Sequence, residues 1–138
     1  MKIGPFLANK ISVDNICYLT NTSPLISDRT VIRAVKIYKK LNKKKYDSIS
    51  TFEKCNSFLW NENKPINYSV NKQPRSQDLK NIYIFNPALA IMSKKKILEF
   101  NNVCGKKPYK LIIQKPESID IDTIYDFHLA KIYKRQKI

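Results

Sequence analysis

The stretch that most constrains the fold spans residues 14–54, where an amphipathic helix lies between two short runs of β-forming residues. Val31, Ala34, Val35, Tyr38 and Leu41 recur at spacings of three and four, which places them on one helical face and predicts that this face packs on a sheet. Ser27 or Asp28 stands where an N-cap acceptor is needed, and Lys39, Lys40 and Lys43 gather toward the other end, where the helix dipole favours cations. Before the helix, DNICYLT (residues 14–20) reads as a buried strand that runs into the turn Asn21-Thr22-Ser23-Pro24; after it, DSISTFEK (47–54) reads as a second strand. A helix of this length between two strands is a crossover that brings them parallel, so the expected unit is βαβ and the expected class is α/β.

The remainder extends this unit without repeating it. FLWNENKPINY (58–68) places aromatic pieces on both sides of the polar turn 61–64, as in a hairpin projecting from the main sheet, and the polar stretch 69–80 reads as a loop. Residues 82–85 and 88–92 read as extended segments separated by Asn86-Pro87, and Ser93 can cap the short helix KKKILEF. YKLIIQ (109–114) reads as a further strand and IYDFHLAKIYKRQ (124–136) as a closing helix. At 138 residues the chain is the size of one domain, with 56–80 forming its hairpin and loop.

Composition narrows the functional classes. The formal net charge is +15, and phosphate recognition is the first role such a balance suggests. However, nearly all the cations are Lys rather than Arg, and they accompany many Ile and Asn and no zinc-finger, RNP or helix-turn-helix pattern. The expectation is therefore a solvated lysine surface rather than a nucleic-acid site. With 2 glycines in the whole sequence there is no glycine-rich phosphate cradle. Cys17, Cys55 and Cys104 are far apart and have only His128 to complete a metal set, so reduced thiols are expected. No apolar run reaches membrane-spanning length, and MKIGPFLANK lacks the apolar core of a signal peptide; the expected location is cytoplasmic, away from membranes.

Against this background ESIDIDTIYDF (117–127) stands out, because it holds Glu117, Asp120, Asp122 and Asp126 from a total of 11 carboxylates. In an extended segment Ile119 and Ile121 share one face and Asp120 and Asp122 the other, so the isoleucines are expected inside and the two carboxylates together outside. Such a pair needs a cation, hydrogen-bond donors or water, and a hard divalent ion such as Mg2+ suits two carboxylate ligands beside a substrate phosphate. Thr123 and Asp126, three residues apart, have instead the form of a capping box for the closing helix.

Taken in order, four stretches resemble the acylneuraminate cytidylyltransferase family, which makes CMP-activated sialic and related nonulosonic acids. Thr22-Ser23-Pro24-Leu25 looks like its TSPL turn, and Asp47-Ser48 opens the next strand as family members often do. The stretch from Gln73 through Arg75 to Leu79 looks like its PRxQDL loop, and the stretch from Ser118 to Thr123 followed by Asp126-Phe127 is similar to its SxDIDTxxDF ending. The resemblance covers residues 14–133, and it corresponds to the family's C-terminal half; the glycine-rich loop that holds the CTP triphosphate lies in an N-terminal half with no counterpart here.

The resemblance implies a Rossmann-like nucleotidyltransferase domain with a mainly parallel sheet, incomplete on its N-terminal side, and a projecting hairpin that serves as a dimerisation arm. It implies transfer of CMP from CTP to a nonulosonic sugar acid, with release of pyrophosphate and with Mg2+ held by Asp120 and Asp122. Arg75 would pair with the sugar carboxylate, and Thr22, Ser23 and Asn86 would border the substrate pocket. A homodimer follows from the arm, and a separate chain is a possible source of the missing half. The rival expectations are a non-catalytic basic binding protein on the same fold and a truncated remnant of it.

Overall fold

The computed structural model describes residues 3–135. Its centre is one four-stranded sheet made of β1 (Asn15–Leu19), β2 (Ser48–Cys55), β3 (Ile82–Ser93) and β4 (Pro108–Ile112), in the spatial order β1-β3-β2-β4. β3 runs antiparallel to both β1 and β2, while β2 pairs with β4 in parallel. Thus β1, β2 and β4 share one direction, and the sheet is mixed. The expected βαβ crossover is present in direction but not in adjacency, because β3 is inserted between its two strands. The helix of that crossover is α2 (Asp28–Lys39), capped by Ser27, whose side chain accepts from the Thr30 amide.

The helices cover both faces of the sheet. From α2, Ala34 and Tyr38 pack on Ile49, Leu89, Ile91 and Leu111, with Val31, Val35 and Leu41 at the margin, which is the stripe the spacing predicts. On the opposite face α1 (Ile3–Lys10) and α3 (Lys94–Phe100) bring Ala8 and Ile97 together on Met92. A smaller cluster forms where α4 (Ile124–Arg135) lays Ala130 against Leu25 and Ile119. This last cluster joins the turn after β1 to the segment after β4, and so builds the end of the sheet where those two strands finish.

β3 is a single strand, where the sequence suggested two segments interrupted at Asn86-Pro87. Its register against β2 jumps, with Ser50 opposite Ala90 but Phe52 opposite Phe85, so the extra residues bulge out of the ladder. The Thr51 hydroxyl fills the bulge: it accepts from the Leu89 amide at 2.9 Å and lies 2.8 Å from the Asn86 carbonyl. Proline is tolerated at such a bulge because no ladder donor is needed there. At the other end of β2, the buried Asp47 carboxylate accepts from the Lys106 and Lys107 amides at 3.0 and 2.8 Å. Gly105 sits beside it at φ +89, in a space where a Cβ would collide with the Ser48 and Asp47 side chains.

Residues 58–68 form a short hairpin in outline, with a bridge between Trp60 and Pro65 and the Ile66 amide donating to the Leu59 carbonyl at 2.8 Å. Phe58 and Trp60 each meet Tyr68 edge to face. Trp60 nevertheless stays 56% exposed and Val70 63% exposed. All three cysteines are free. Among the described residues no helix is long and apolar enough to cross a membrane.

Candidate functional site

Because β1, β2 and β4 share a direction, the segments leaving β1 and β4 emerge at the same end of the sheet, where α/β folds place their ligands. The turn after β1 carries Thr22 and Ser23; the segment after β4 carries Asp120 and Asp122. The two are joined directly. Ser23 Oγ donates to Asp120 Oδ1 at 3.3 Å, and the Ile121 amide donates to the Thr22 carbonyl at 2.8 Å. Ser23 is buried, and Thr20 Oγ1 lies within 3.1 Å of its hydroxyl and 3.2 Å of the Pro87 carbonyl. The β3 bulge therefore closes the third side.

The alternation expected of residues 119–122 holds. Ile119 is buried and Ile121 packs beside it, while Asp120 is half-buried and Asp122 exposed. Asn86, also buried, does something the sequence does not suggest: its Nδ2 donates to the Ser118 carbonyl at 2.8 Å and its Oδ1 accepts from the Ala88 amide at 3.0 Å. It braces the bulge against the acidic segment, and so reaches the site through its neighbours. Ser118 Oγ is buried with no hydrogen-bond partner among the described residues, an unsatisfied oxygen within two residues of Asp120.

Glu117 is a residue whose role sequence reasoning missed. Its carboxylate accepts from the Ser27 amide at 3.1 Å and lies 2.8 Å from the Thr30 hydroxyl, placing a negative charge at the start of α2 and tying the acidic segment to that helix. The available signal was its membership of the acidic cluster, but nothing local identifies a partner 90 residues away. Asp126 takes the capping role its spacing predicts. The Thr123 amide donates to Asp126 Oδ2 at 2.9 Å and the Asp126 amide to Thr123 Oγ1 at 3.3 Å. The Thr123 side chain and amide hold the Asp126 carboxyl below its ordinary range.

Arg75 lies apart from this cluster. Its Nε pairs with Asp78 Oδ2 at 2.9 Å across one short 3-10 turn, and its side chain is 75% exposed. The pair is local and solvated, so it adds little to stability.

Beside the Ser23–Asp120 junction lies a groove of about 400 Å³. Leu25, Ile121 and Phe127 form its apolar walls, and Lys131 and Lys134 bring two ammonium groups to it from α4. The sequence places these lysines on the closing helix; their proximity to the turn after β1 is visible only in the fold.

The donor set limits what metal the site could hold. Among the described residues, no three of His, Cys, Asp and Glu gather closely enough to form an all-protein metal site. Asp120 has one oxygen engaged by Ser23, and the Asp122 carboxylate accepts no hydrogen bond among the described residues. Asp120 and Asp122 could supply at most two carboxylate ligands, so a hard cation such as Mg2+ held by them would have to draw its other ligands from phosphate and water.

No protein-family model matches the chain, and no curated protein matches it in sequence. Among solved structures, the chain resembles the crystal structure of 4-diphosphocytidyl-2C-methyl-D-erythritol synthase from Anaerococcus prevotii DSM 20548, with a TM-score of 0.62 at 11% identity. The match covers 94% of this chain and 64% of that one, so the chain spans just under two thirds of its neighbour's length. The chain therefore shares an α/β fold with part of that synthase.

Proposed function

We propose that the chain is the sugar-acid and metal side of a cytidylyltransferase that moves CMP from CTP to a nonulosonic sugar acid and releases pyrophosphate. The observation that carries this reading is the Ser23–Asp120 junction. Two motifs 97 residues apart in sequence meet through a hydrogen bond at the carboxyl ends of β1 and β4, in the fold of a diphosphocytidyl synthase.

On this reading Asp120 and Asp122 hold Mg2+, which when bound would offset phosphate charge during attack by the sugar hydroxyl on the α-phosphorus. The chain's own residues bind and orient. Ser23 fixes one Asp120 oxygen, and Thr22 and Asn86 border the pocket, Asn86 by holding the Ser118 carbonyl. Lys131 and Lys134 attract the anionic substrates. Arg75 exchanges Asp78 for the sugar carboxylate, a swap that costs about 1 kcal/mol or less because the existing pair is solvated.

Two further parts of the proposal concern assembly. The exposed apolar side chains of the hairpin, Phe58, Trp60, Ile66 and Val70, would be covered by a second copy, making a homodimer. The triphosphate would be cradled by a separate polypeptide added at the open edge of β1, which among the described residues pairs with β3 alone.

The test is calorimetric titration of Mg2+ with CTP into the chain and its Asp120→Asn and Asp122→Asn variants, followed by pyrophosphate release with a panel of nonulosonic acids. Metal-dependent CTP binding that both substitutions abolish, in proteins that melt like the parent, is expected. Binding indifferent to both would sink the proposal.

A further inference from the structure

A hollow larger than the candidate groove lies elsewhere on the molecule. A concavity of about 780 Å³ lies beside the C-terminal half of α2, with Lys36, Lys39 and Lys40 on one side and Tyr46 and Tyr109 on the other. It continues in both directions. Through Lys36 and Ile37 it joins a hollow that includes Arg29 and Arg33, and through Tyr46 and Tyr109 it joins one that includes Tyr83 and Lys110. Sharing residues pairwise, the three hollows form one trough that runs along the outer flank of α2 and across the edge strand β4 to Tyr83 of β3. From Arg29 to Lys40 its helical wall alone is about 16 Å long.

Its chemistry is one-sided. Six cations line it, namely Arg29, Arg33, Lys36, Lys39, Lys40 and Lys110, and no Asp or Glu does. These cations are not neutralised elsewhere, because the single ion pair among the described residues is Arg75 with Asp78. Three tyrosines sit among them. Tyr46 and Tyr109 are half-buried and meet edge to face with ring centres 5.4 Å apart, so their rings are held in place by packing. Tyr83 is exposed and has the Lys110 ammonium 5.7 Å from its ring centre.

We propose that this trough binds single-stranded nucleic acid, with the cations tracking the phosphates and the tyrosines stacking on unpaired bases. Alternation of charge with aromatic faces in a groove is the arrangement that sequence-tolerant single-strand binding requires. The expectation from composition was a solvated lysine surface; the fold instead gathers part of that charge into a concave, aromatic, carboxylate-free strip. An acidic protein would match the charge but leaves the tyrosines without a role.

The experiment is fluorescence anisotropy with a fluorescein-labelled 12-nucleotide oligothymidylate and a duplex of the same length, from 50 to 200 mM salt. For four to six phosphate contacts on a single strand, affinity should fall about 50- to 300-fold over that range. Lys36→Glu with Lys40→Glu should weaken binding at least about tenfold and flatten the salt slope by about 1.4. Lys64→Glu with Lys72→Glu changes the net charge equally, on the exposed hairpin and the loop after it, and should stay within about threefold of the parent. Melting by circular dichroism confirms that both pairs fold. Equal losses from the two pairs would reduce the effect to net charge and overturn the proposal. So would duplex binding as tight as single-strand binding, or displacement of the oligonucleotide by an equal charge concentration of polyglutamate.

Discussion

Replacing Glu117 with Ala should destabilise the whole domain, although the residue sits in an irregular segment. Its carboxylate accepts from the Ser27 amide at 3.1 Å and from the Thr30 hydroxyl at 2.8 Å, and Thr30 is only 6% exposed. Removal leaves a buried hydroxyl short of an acceptor and takes a negative charge from the start of α2. Hydrogen bonds to a charged group are worth about 1.5–3 kcal/mol each, and the partial exposure of Glu117 argues for the low end. With the helix-dipole contribution the loss should be about 2–4 kcal/mol. At a urea dependence of about 1.5 kcal/mol per molar, the unfolding midpoint falls by about 1.3–2.7 M. Glu117→Gln keeps an acceptor oxygen and should lose roughly half as much. Glu62→Ala, on the exposed hairpin turn, should move the midpoint by no more than about 0.3 M. A Glu117→Ala midpoint indistinguishable from that of Glu62→Ala would refute the assignment of Glu117 as the tie between the acidic segment and α2.

Other predictions address separate parts of the structure. Asp126 should titrate below the ordinary 3.8, because the Thr123 hydroxyl and amide favour its charged form; carboxyl-carbon NMR reads this directly. A depressed folded-state pKa means that its stabilisation is complete above the ordinary carboxylate range and is lost as pH falls through the lowered value, so Asp126→Asn should flatten the acid limb of stability. Gly105→Ala should cost about 2–4 kcal/mol in urea unfolding, since it combines a left-handed backbone with collision against Asp47 and Ser48. Arg75→Ala should change stability by no more than about 0.5 kcal/mol, while weakening sugar-acid binding in a competition titration; equal effects on both would deny Arg75 a substrate role.

The elements legible in the sequence are those whose determinants are local. The α2 stripe, the Ser27 and Ser93 caps, and the Thr123–Asp126 box each depend on residues within a few positions of one another, and each is found in place. The inward isoleucines around Asp120 follow from strand alternation alone. What escaped depends on distance along the chain. Nothing near β1 or β2 signals that β3 will enter between them, and the bulge that keeps β3 continuous through Pro87 relies on Thr51 of another strand. α1 escaped because Gly4 and Pro5 weaken its local signal; it is held by packing Ala8 into the cluster with Met92 and Ile97. At the site, the residue types of the two motifs were readable, but their union was not. Asn86 bracing the Ser118 carbonyl, Glu117 reaching α2, and Lys131 and Lys134 flanking the groove all required the fold.

The central claim is that the Ser23–Asp120 junction anchors a metal-dependent nucleotide site. Its most direct test is the affinity of the intact chain for CTP, measured with and without Mg2+, in the parent and in Asp120→Asn. Asparagine keeps an oxygen for Ser23 to donate to, so the fold should survive while the metal loses a charged ligand. The account predicts Mg2+-dependent CTP binding in the parent that falls by at least about tenfold in the variant, with melting unchanged. Equal CTP affinity in both proteins, or affinity in the parent that ignores Mg2+, would contradict it.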